Sequence, residues 1–422
     1  MRFNEFKDEW DRTVIQKLID DGIIVSHLDG NHGGLYPRAE EFASSGVPYI
    51  TANDFISGQV SFSNCKYLPI PKAAQFKKGI AKNGDVLFAH NATVGPTAIL
   101  ETKLDYVVLS TTATYFRCDN KNLFNRYLRY YFETKGFIEQ YTRVMSQSTR
   151  NQIPITTQRK FHIAISGFPE QQKIASFLSA VDEKIQQLTR KKELLQQYKK
   201  GVMQQLFSGK LRFKDENGRT YPKWEEKRLI DIADSRIKWS FTGGPFGSNL
   251  KAEDYTENGV RILQLQNIGD GVFHNDYKIY TSEEKANSLI SCNIYPGEIL
   301  ISKMGDPVAR ACKVPNGEKR YLMASDGIRF VPDSSRIDKD FIFHSINHPI
   351  FRNKAVTVST GSTRKRIGLT ELKEITFSIP VLEEQQKIAS FLTGLDAKIE
   401  SVAAQITHTQ TFKKGLLQQM FV

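Results

Sequence analysis

Two short polar loops carry the side chains best suited to bind phosphate groups or the edges of nucleobases. The loops are Ser148-Thr149-Arg150-Asn151-Gln152 and Ser362-Thr363-Arg364-Lys365-Arg366. Hydroxyl and guanidinium groups donate hydrogen bonds to phosphate oxygens, and a guanidinium group can also pair with a base. Because the two loops are alike in sequence, they predict one task performed twice, which is to hold phosphates in position.

Patterns that would carry catalysis are weak or missing. No G-x-x-x-x-G-K-[ST] phosphate loop occurs, and no Pro-Pro dipeptide is present for the Asp/Asn-Pro-Pro-aromatic element of amino-methyltransferases. Asp333 with Glu371 and Lys373 has the residue types of a Mg²⁺-dependent nuclease, but Glu-x-Lys triplets are common by chance. His344 and His348 have the spacing of two metal ligands on one helix face, with no third ligand implied. We therefore expect no catalytic residue and no metal site.

The sequence contains an internal repeat. Residues 170–178 read Glu-Gln-Gln-Lys-Ile-Ala-Ser-Phe-Leu and recur at 384–392, an offset of 214 residues. The same offset relates Asp182 to Asp396 and the first polar loop to the second. The tails of the two copies agree at about half of their positions, whereas the roughly 160 residues before each tail have diverged.

Side chains that read bases are expected where the two copies differ, because different targets need different contacts. The candidates in copy one are polar residues of loops and strand ends: Asn31, His32, Tyr36, Arg38, His90 and Asn91. The candidates in copy two are Ser248, Asn249, Lys251, Lys303, Arg310 and Lys313. For any single one of them, a solvated polar loop that caps a sheet is at least as good an interpretation.

Each copy ends in a long helix with an apolar seam. Apolar residues recur at the alternating spacing of a coiled coil. The seam of copy one is Ile174, Leu178, Val181, Ile185, Leu188 and Leu195, and that of copy two is Ile388, Leu392, Leu395, Ile399, Val402 and Ile406. In each copy one slot of the seam is a lysine, Lys199 or Lys413, and a polar residue at a core slot often fixes the register of a coiled coil.

The diverged segments predict α+β domains. Strand patterns occur at 85–88, 161–165, 298–301 and 375–379, and helical patterns at 122–133 and 340–347. The sequence thus predicts globular domains at 1–168 and 209–380, each followed by a helix, at 169–208 and 381–422. The apolar seam of a single helix would stay exposed to water, so we expect the two helices to pack on each other. Antiparallel packing would relate the two copies by a pseudo-two-fold axis. Duplex DNA has that symmetry, and unlike domains predict a bipartite, asymmetric target.

Charge and composition favour a polyanionic partner. The chain has 422 residues with 58 Lys and Arg against 46 Asp and Glu, a formal net charge of +12. Its 40% of hydrophobic residues is enough for ordinary packed cores. Charges interrupt the first ten residues, where a secretory signal needs an apolar run, and no stretch approaches the ~18 apolar residues of a membrane span. We expect a cytoplasmic protein whose four cysteines, without a C-x-x-C pair, are unpaired thiols.

Several of these stretches resemble the specificity subunit of type I restriction-modification systems. They are Phe168–Leu178, its second copy at Glu384–Leu392, Lys199–Phe207 and the Asp29–Gly34 opening. The resemblance spans the whole chain and implies two target recognition domains, each reading half of a split DNA site, joined by two antiparallel helical spacers. Copy two lacks the Asn-His-Gly-Gly opening and has Thr242–Ser248 there, so the sequence leaves open whether the two loops do equivalent jobs.

The resemblance also implies partners. They are double-stranded DNA, methyltransferase subunits, expected to be two, and restriction subunits that translocate DNA. S-adenosylmethionine, ATP and Mg²⁺ would belong to those subunits, and this chain would hold no cofactor.

Two other functions are alternatives. A self-sufficient endonuclease or methyltransferase with two recognition modules would carry its own catalysis, and a coiled-coil scaffold would bind protein alone. The net charge and the duplicated arginine loops favour a non-catalytic subunit that recognises DNA sequence.

Overall fold

The chain divides into two units with separate cores. The computed structural model describes residues 2–30, 32–147, 151–362 and 364–421. Unit 1 consists of residues 1–190 and 403–422, and unit 2 consists of residues 191–402. The candidates Asn31, Ser148, Thr149, Arg150 and Thr363 lie outside the described residues.

Unit 1 is built on two sheets and a strand pair. Its elements are β1 Asp11–Val14, α1 Ile15–Asp20, β2 Ile24–Asp29, β3 Val47–Ile50, β4 Phe55–Ile56, β5 Gln59–Val60, β6 Lys66–Leu68, α2 Ile70–Ala73, β7 Ile80–Ala81, β8 Val86–Asn91, β9 Thr93–Ile99, β10 Val107–Leu109, β11 Ala113–Cys118, α3 Asn125–Phe132, α4 Lys135–Ser146, α5 Ile155–Gln158, β12 His162–Ile165 and the beginning of α6 Phe168–Phe207. The strand orders are β2-β11-β8-β9-β5-β4 and β6-β3-β10-β7, and β1 pairs with β12. The apolar run at the start of β8 is buried throughout, as expected of a strand covered on both faces.

Unit 2 contains the rest of α6 and the beginning of the second long helix. Its other elements are β13 Glu225–Arg228, β14 Phe241–Gly243, β15 Tyr255–Thr256, β16 Val260–Leu263, β17 Ile279–Thr281, α7 Glu283–Ser288, β18 Asn293–Ile294, β19 Ile299–Ser302, β20 Ala311–Lys313, β21 Tyr321–Met323, β22 Gly327–Phe330, α8 Lys339–Ile346, α9 Pro349–Thr357, α10 Leu369–Glu374 and β23 Thr376–Ile379, and the second long helix is α11 Leu382–Met420. The strand orders are β14-β22-β19-β20 and β15-β17-β16-β21-β18, and β13 pairs with β23.

The two units share one plan despite their divergence. The order β14-β22-β19-β20 repeats β2-β11-β8-β9, and β17-β16-β21-β18 repeats β6-β3-β10-β7. The predicted strands and helices are confirmed within a few residues as β8, β12, β19, β23, α3 and α8. The α+β tandem repeat expected from the sequence is therefore present in the fold.

Two buried polar side chains tie down the first turn of α6. Glu170 accepts two hydrogen bonds from the Arg2 guanidinium group, at 2.7 and 2.8 Å, and one from the Trp10 indole at 3.1 Å. Gln171 accepts from the backbone N–H of Phe124 at 2.8 Å and donates to two backbone carbonyls. Because buried polar groups are stable only when bonded, these contacts fix the start of α6 against the residues that precede α3.

The first turn of α11 repeats these contacts in unit 2. Glu384 accepts from Arg212 at 3.0 and 2.6 Å and from the Trp224 indole at 3.1 Å. Gln385 accepts from the backbone N–H of Asp338 at 2.9 Å and donates to two carbonyls. The repeated Glu-Gln pair is thus a structural signature that joins each long helix to its domain.

In unit 1 the last turns of α11 run antiparallel to the first turns of α6. Phe421 packs on Trp10 beside the start of α6, with 6.1 Å between ring centroids. Lys413, about two turns earlier in α11, bonds Asp182 at 2.8 Å, further along α6, and also contacts Glu133 at 2.9 Å. Burial acts to raise the pKa of Asp182, but its positively charged neighbours, Lys413 first, lower it overall.

In unit 2 the end of α6 runs antiparallel to the beginning of α11. Leu206 shares a core with Ile388 and Leu392, and Lys199, about two turns earlier in α6, forms an ion pair with Asp396, further along α11. Each lysine predicted in a seam therefore pairs with the aspartate that the repeat placed on the other helix. The predicted seam residues are buried or half-buried without exception.

No helix in the described part of the chain is long and apolar enough to cross a membrane. Cys65, Cys118, Cys292 and Cys312 are free thiols. Burial raises the pKa of each thiol, to about 12 for Cys312, so none of them is an activated nucleophile.

Candidate nucleic-acid interface

The glycine-rich loops that differ between the copies have the same position in the two units. After β2, Gly30 passes so close to the next sheet that a Cβ atom would lie 2.1 Å from the carbonyl oxygen of Ser110. After β14, a Cβ on Gly244 would lie 1.8 Å from the carbonyl oxygen of Ala324. Both loops then form a short 3₁₀ turn, at Gly33–Leu35 and Gly247–Asn249. The loops are structural equivalents, although one reads Asn-His-Gly-Gly and the other does not.

The polar Ser-Thr-Arg loops end beside the central strand of each unit. In unit 1 the backbone N–H of Ile153 donates to the carbonyl of His90 at 2.8 Å, and that of Ala92 donates to Asn151 at 2.9 Å. In unit 2 the N–H of Ile367 donates to the carbonyl of Lys303 at 2.9 Å, and Gly305 donates to Lys365 at 3.2 Å. The same backbone contacts therefore hold the described ends of both loops, at residues 151–153 and 365–367.

A third segment connects these two loops in each unit. His32 of the first glycine-rich loop contacts the carbonyl of Leu109 at 2.7 Å, and the N–H of His90 donates to Thr112 at 3.0 Å. In unit 2 the N–H of Lys303 donates to Asp326 at 2.7 Å, next to the segment that Gly244 contacts. At one end of each unit, the glycine-rich loop, the end of the central strand and the polar loop come together.

The candidates of unit 1 separate into exposed and interior side chains. Tyr36 is 53% exposed and Arg38 is also exposed, so both are free to contact a ligand. His90 is only 2% exposed, and its Nδ1 lies 3.0 Å from the carbonyl of Ile153. The ring of half-buried His32 packs edge-on against Phe76, and burial lowers the pKa of both histidines.

Asn91 is half-buried, and its side-chain amide reaches the carbonyl of Thr111 at 3.4 Å. The structure thus places His32, His90 and Asn91 against the same segment, residues 109–112, but turns His32 and His90 into the protein. Burial of these two rings could not be read from a loop pattern, because the neighbouring strands that cover them are distant in sequence.

The candidates of unit 2 also fall into two groups. The side chains of Ser248, Asn249 and Lys251 are exposed. Lys303 is half-buried near Gly243, and burial is the main cause that lowers its pKa. Lys313 is already engaged, because its ammonium group pairs with Asp340 at 2.5 Å and lies 4.9 Å from the centre of the Phe343 ring.

The second polar loop is arranged unevenly. Ser362 and Arg364 are exposed, whereas Lys365 is half-buried. Arg366 pairs with Asp326 at 2.6 Å, and its backbone pairs with that of Thr360 across the loop. Arg364 is therefore the described side chain of this loop best placed to meet a ligand.

A cleft of about 650 Å³ opens at this end of unit 2. It is lined by Pro245, Phe246, Gly247, Leu250, Tyr255, Gln264, Leu265, Gln266, Ile268, His274, Met304, Gly305, Asp306, Arg310, Ala324, Ser325, Asp326 and Arg364. Two predicted residues, Arg310 and Arg364, thus share one cleft. Phe246, 83% exposed, was missed by sequence reasoning, although its position between glycines of a polar loop was a signal.

The weak catalytic and metal patterns have other partners. Asp333 bonds Arg336 at 2.9 Å and Arg236 at 3.0 Å. His344 is 4% exposed, and His348 caps the N-terminus of α9 by accepting from the N–H of Ile350. Within the described residues, no group of three or more His, Cys, Asp or Glu side chains could hold a metal ion.

Comparisons with known proteins agree with this duplicated plan. Residues 25–197 and 222–408 each match the type I restriction modification DNA specificity domain. The MjaVIII type I restriction enzyme specificity subunit of Methanocaldococcus jannaschii is 24% identical over 388 residues, covering 88% of this chain and 87% of that protein. The MjaIX specificity subunit of the same organism is 24% identical and covers 98% of this chain and 92% of its own length.

Two solved structures have a similar fold. The S subunit of the type I restriction-modification system of M. genitalium superposes with a TM-score of 0.57 at 16% identity, covering all of this chain and 97% of that one. A chain from a structural study of the assembly and conformational transition of a type I R-M system has a TM-score of 0.59 at 16% identity, covering 98% and 97%.

Proposed function

The chain belongs to the type I restriction modification DNA specificity family and is a specificity subunit, and we propose that it reads a bipartite, asymmetric sequence in double-stranded DNA. Each unit would bind one half of the target with the loops that meet at the end of its central strand. The subunit supplies recognition, whereas a self-sufficient endonuclease or methyltransferase is not favoured by its relatives.

The observation that carries this proposal is a repeated framework with unlike loops. Gly30 and Gly244 make the same close approach to the neighbouring sheet, and the residues that follow them share one glycine, Gly33 or Gly247, but otherwise differ up to residues 35 and 249. Backbone contacts that are repeated keep a loop in place, and side chains that differ change what it can bind. That combination suits two readers of different half-sites better than it suits a scaffold.

Within each unit we assign different tasks to different side chains. The exposed candidates other than Arg366, which pairs with Asp326, are proposed to contact DNA: Tyr36, Arg38, Ser248, Asn249, Lys251, Ser362 and Arg364, with Arg310 inside the cleft. Asn31, Ser148, Thr149, Arg150 and Thr363 stay predictions from the sequence. His32, His90 and Lys313 are left out, because their side chains are turned inward or already paired.

The long helices are proposed to act as a ruler between the half-sites. In this proposal the recognition domains occupy 1–168 and 209–380, and the helical spacers occupy 169–208 and 381–422, packed as an antiparallel coiled coil about a pseudo-two-fold axis. The antiparallel lysine–aspartate contacts within each unit support it. The length of the helices would then set the number of base pairs between the half-sites.

The catalytic work is proposed to belong to partner subunits in the cytoplasm. Two methyltransferase subunits would bind S-adenosylmethionine and modify the target, and restriction subunits would use ATP and Mg²⁺ to translocate and cleave DNA. This chain would hold no cofactor of its own.

The deciding experiment is to map adenine methylation by single-molecule sequencing in a methylation-free host. The host expresses the partner methyltransferase subunit with or without this chain. We expect a bipartite, asymmetric motif only when the chain is present. A stable complex of the two subunits that leaves the genome unmethylated would contradict the proposal and support a scaffold.

Two controls sharpen this experiment. Arg38→Gln should change or weaken one half of the motif, whereas Lys135→Gln, at an exposed site on α4, should leave the motif unchanged. Purified chain incubated alone with DNA, Mg²⁺ and S-adenosylmethionine should leave the DNA unmodified.

Binding of the complex to DNA should also weaken steeply as the salt concentration rises, as phosphate contacts require.

A further inference from the structure

Within the described part of the chain, the guanidinium group of Arg310 has no hydrogen-bond or ion-pair partner. Arg310 is half-buried and lines the cleft of unit 2, and its Nε atom is buried. Among the residues that the structure describes, no acceptor bonds this Nε and no carboxylate pairs with the side chain. The Nε atoms of Arg129, Arg159 and Arg261 are also buried without an acceptor, but those side chains bond through their Nη atoms, and for Arg310 no such bond is found among the described residues. A buried donor without a partner is costly, so a guanidinium group with no bond at all calls for an explanation.

The surrounding arginines make this position stand out. Arg366 pairs with Asp326, Arg352 with Asp270 and Arg329 with Glu298, each at 2.6 Å. Acidic side chains are thus available in this unit, and they are matched to other arginines.

The backbone of the cleft makes room for the Arg310 side chain. Gly305 has a φ of +137°, and a Cβ atom there would lie 3.1 Å from Nη2 of Arg310. A side chain at position 305 would therefore be strained and would crowd the guanidinium group. Glycine keeps the guanidinium fork open toward the cleft.

An exposed aromatic ring shares the same cleft. Phe246 is 83% exposed and lies in the glycine-rich loop, at the position that the repeat relates to His32. His32 turns inward in unit 1, whereas Phe246 faces solvent. In the major groove an apolar side chain can contact the methyl group of thymine, and an arginine fork pairs with O6 and N7 of guanine.

At the two equivalent positions, unit 1 has His32 and Pro96 instead of this pair. Residues 84–88, Gly-Asp-Val-Leu-Phe, match residues 297–301, Gly-Glu-Ile-Leu-Ile, so Phe88 corresponds to Ile301. The β8–β9 pairing aligns Phe88 with Thr97, and the β19–β20 pairing aligns Ile301 with Ala311. Pro96 therefore occupies the position of Arg310, and proline offers no donor. Any recognition that depends on Arg310 must be confined to one half of the target.

We propose that Arg310 reads a guanine in the half-site bound by unit 2 through its unpaired guanidinium fork, with Phe246 in apolar contact with a base beside it. The proposal rests on the proposed function, because it needs DNA in the cleft. It adds the chemical identity of one base and the side chain that selects it.

The test uses the complex of this chain with its methyltransferase subunit and the motif found by methylation mapping. Each guanine of the target duplex is replaced in turn by 7-deazaguanine, which lacks the N7 acceptor. We expect one position, in one half-site only, at which the replacement weakens binding of the wild-type complex by roughly 5- to 150-fold. Arg310→Gln should bind the normal and the modified duplex equally.

Methylation mapping of the same variant supplies a second measurement. Glutamine pairs with adenine rather than guanine, so Arg310→Gln should relax that one position or shift it from guanine to adenine. Phe246→Ala should weaken the half-site that contains this guanine and spare the other half. Co-purification with the methyltransferase subunit shows that each variant is folded.

Arg364→Gln is the matched comparison in the same cleft. A phosphate contact at Arg364 predicts equal weakening on both duplexes and an unchanged motif. The proposal is overturned if no guanine is sensitive, if Arg310→Gln keeps the sensitivity, or if Arg364→Gln removes it instead. A wild-type complex that produces no motif would instead contradict the proposed function, so the two failures are distinguishable.

Discussion

At the scale of single residues, one buried carboxylate holds the start of each long helix against its domain. Glu384 is fully buried and bonds both Arg212 and Trp224, so removing its carboxylate leaves buried donors unpaired. We expect Glu384→Ala to lower the free energy of unfolding by about 3 kcal/mol. Urea unfolding measures the change, and Glu383→Ala, at an exposed site one residue earlier, is the control expected to change it by less than about 0.5 kcal/mol.

Two buried histidines, His344 and His348, are expected to make the stability of unit 2 depend on pH. Burial lowers the pKa of His348 to about 4 from 6.5. Between these values the unfolded chain binds a proton that the folded chain does not, so stability is full above pH 6.5 and falls as the pH drops toward 4. The loss from His348 is up to about 3 kcal/mol.

Substitution separates the helix cap from the titration at this site. His348 caps α9, and asparagine is a favourable cap that does not titrate. His348→Asn should therefore reduce the pH dependence of unfolding between pH 6.5 and 4 while preserving stability near pH 7, and the part due to His344, whose pKa burial also lowers to about 4, should remain. His408→Asn, at an exposed site on α11, should keep the wild-type slope, and an equal slope in both variants would argue against the assignment.

At the scale of elements, the two lysine–aspartate pairs between the long helices differ in burial. The side chains of Lys413 and Asp182 are 14% and 25% exposed, compared with 20% and 44% for Lys199 and Asp396. A more buried pair is screened less by solvent. Double-mutant cycles on urea unfolding should give a coupling of about 1–3 kcal/mol for the first pair and at most about 1 kcal/mol for the second. Equal couplings would mean that burial does not control them.

Elements that are determined by neighbouring residues in the sequence could be predicted, whereas features that depend on tertiary contacts could not. The long helices follow from their apolar spacing, and the central strands follow from apolar runs such as 86–89. The roles of Glu170 and Gln171 were out of reach, because their partners are set by tertiary contacts with Arg2 and Phe124. The Glu-Gln motif that revealed the repeat anchors each long helix to its domain, and this role could not be predicted from the sequence alone.

The candidate site was predictable only in outline. The polar loops and Arg310 were found because residue type suggests their chemistry. Whether a loop side chain points outward depends on which distant segment lies under it, as with His90 below Ile153. The unpaired state of Arg310 is likewise a property of the folded cleft.

At the scale of the whole molecule, the proposed ruler predicts a change in spacing. One heptad inserted between residues 190 and 191 and another between 402 and 403 would lengthen both helices by about 10 Å, close to the rise of about three base pairs. Methylation mapping should find unchanged half-sites with a gap about three base pairs longer. The same heptad inserted at Asn217-Gly218, in the turn between helix and domain, should leave the gap unchanged. A constant gap in the helix variant would contradict the ruler.

Unit 1 is formed from two separate stretches of the chain, and this determines when its core can be completed during synthesis. Unit 2 is one continuous stretch, but unit 1 needs residues 403–422 in addition to 1–190. At roughly 5–20 residues per second, a ribosome takes on the order of 10–40 s to travel from residue 190 to residue 403. During that interval Ile174 and Leu178 lack Leu416 and Met420, which complete their core in the folded protein. Unit 2 can therefore finish folding before unit 1. In the nascent chain, the N-terminal part of unit 1 needs protection of its exposed apolar residues for the longest time.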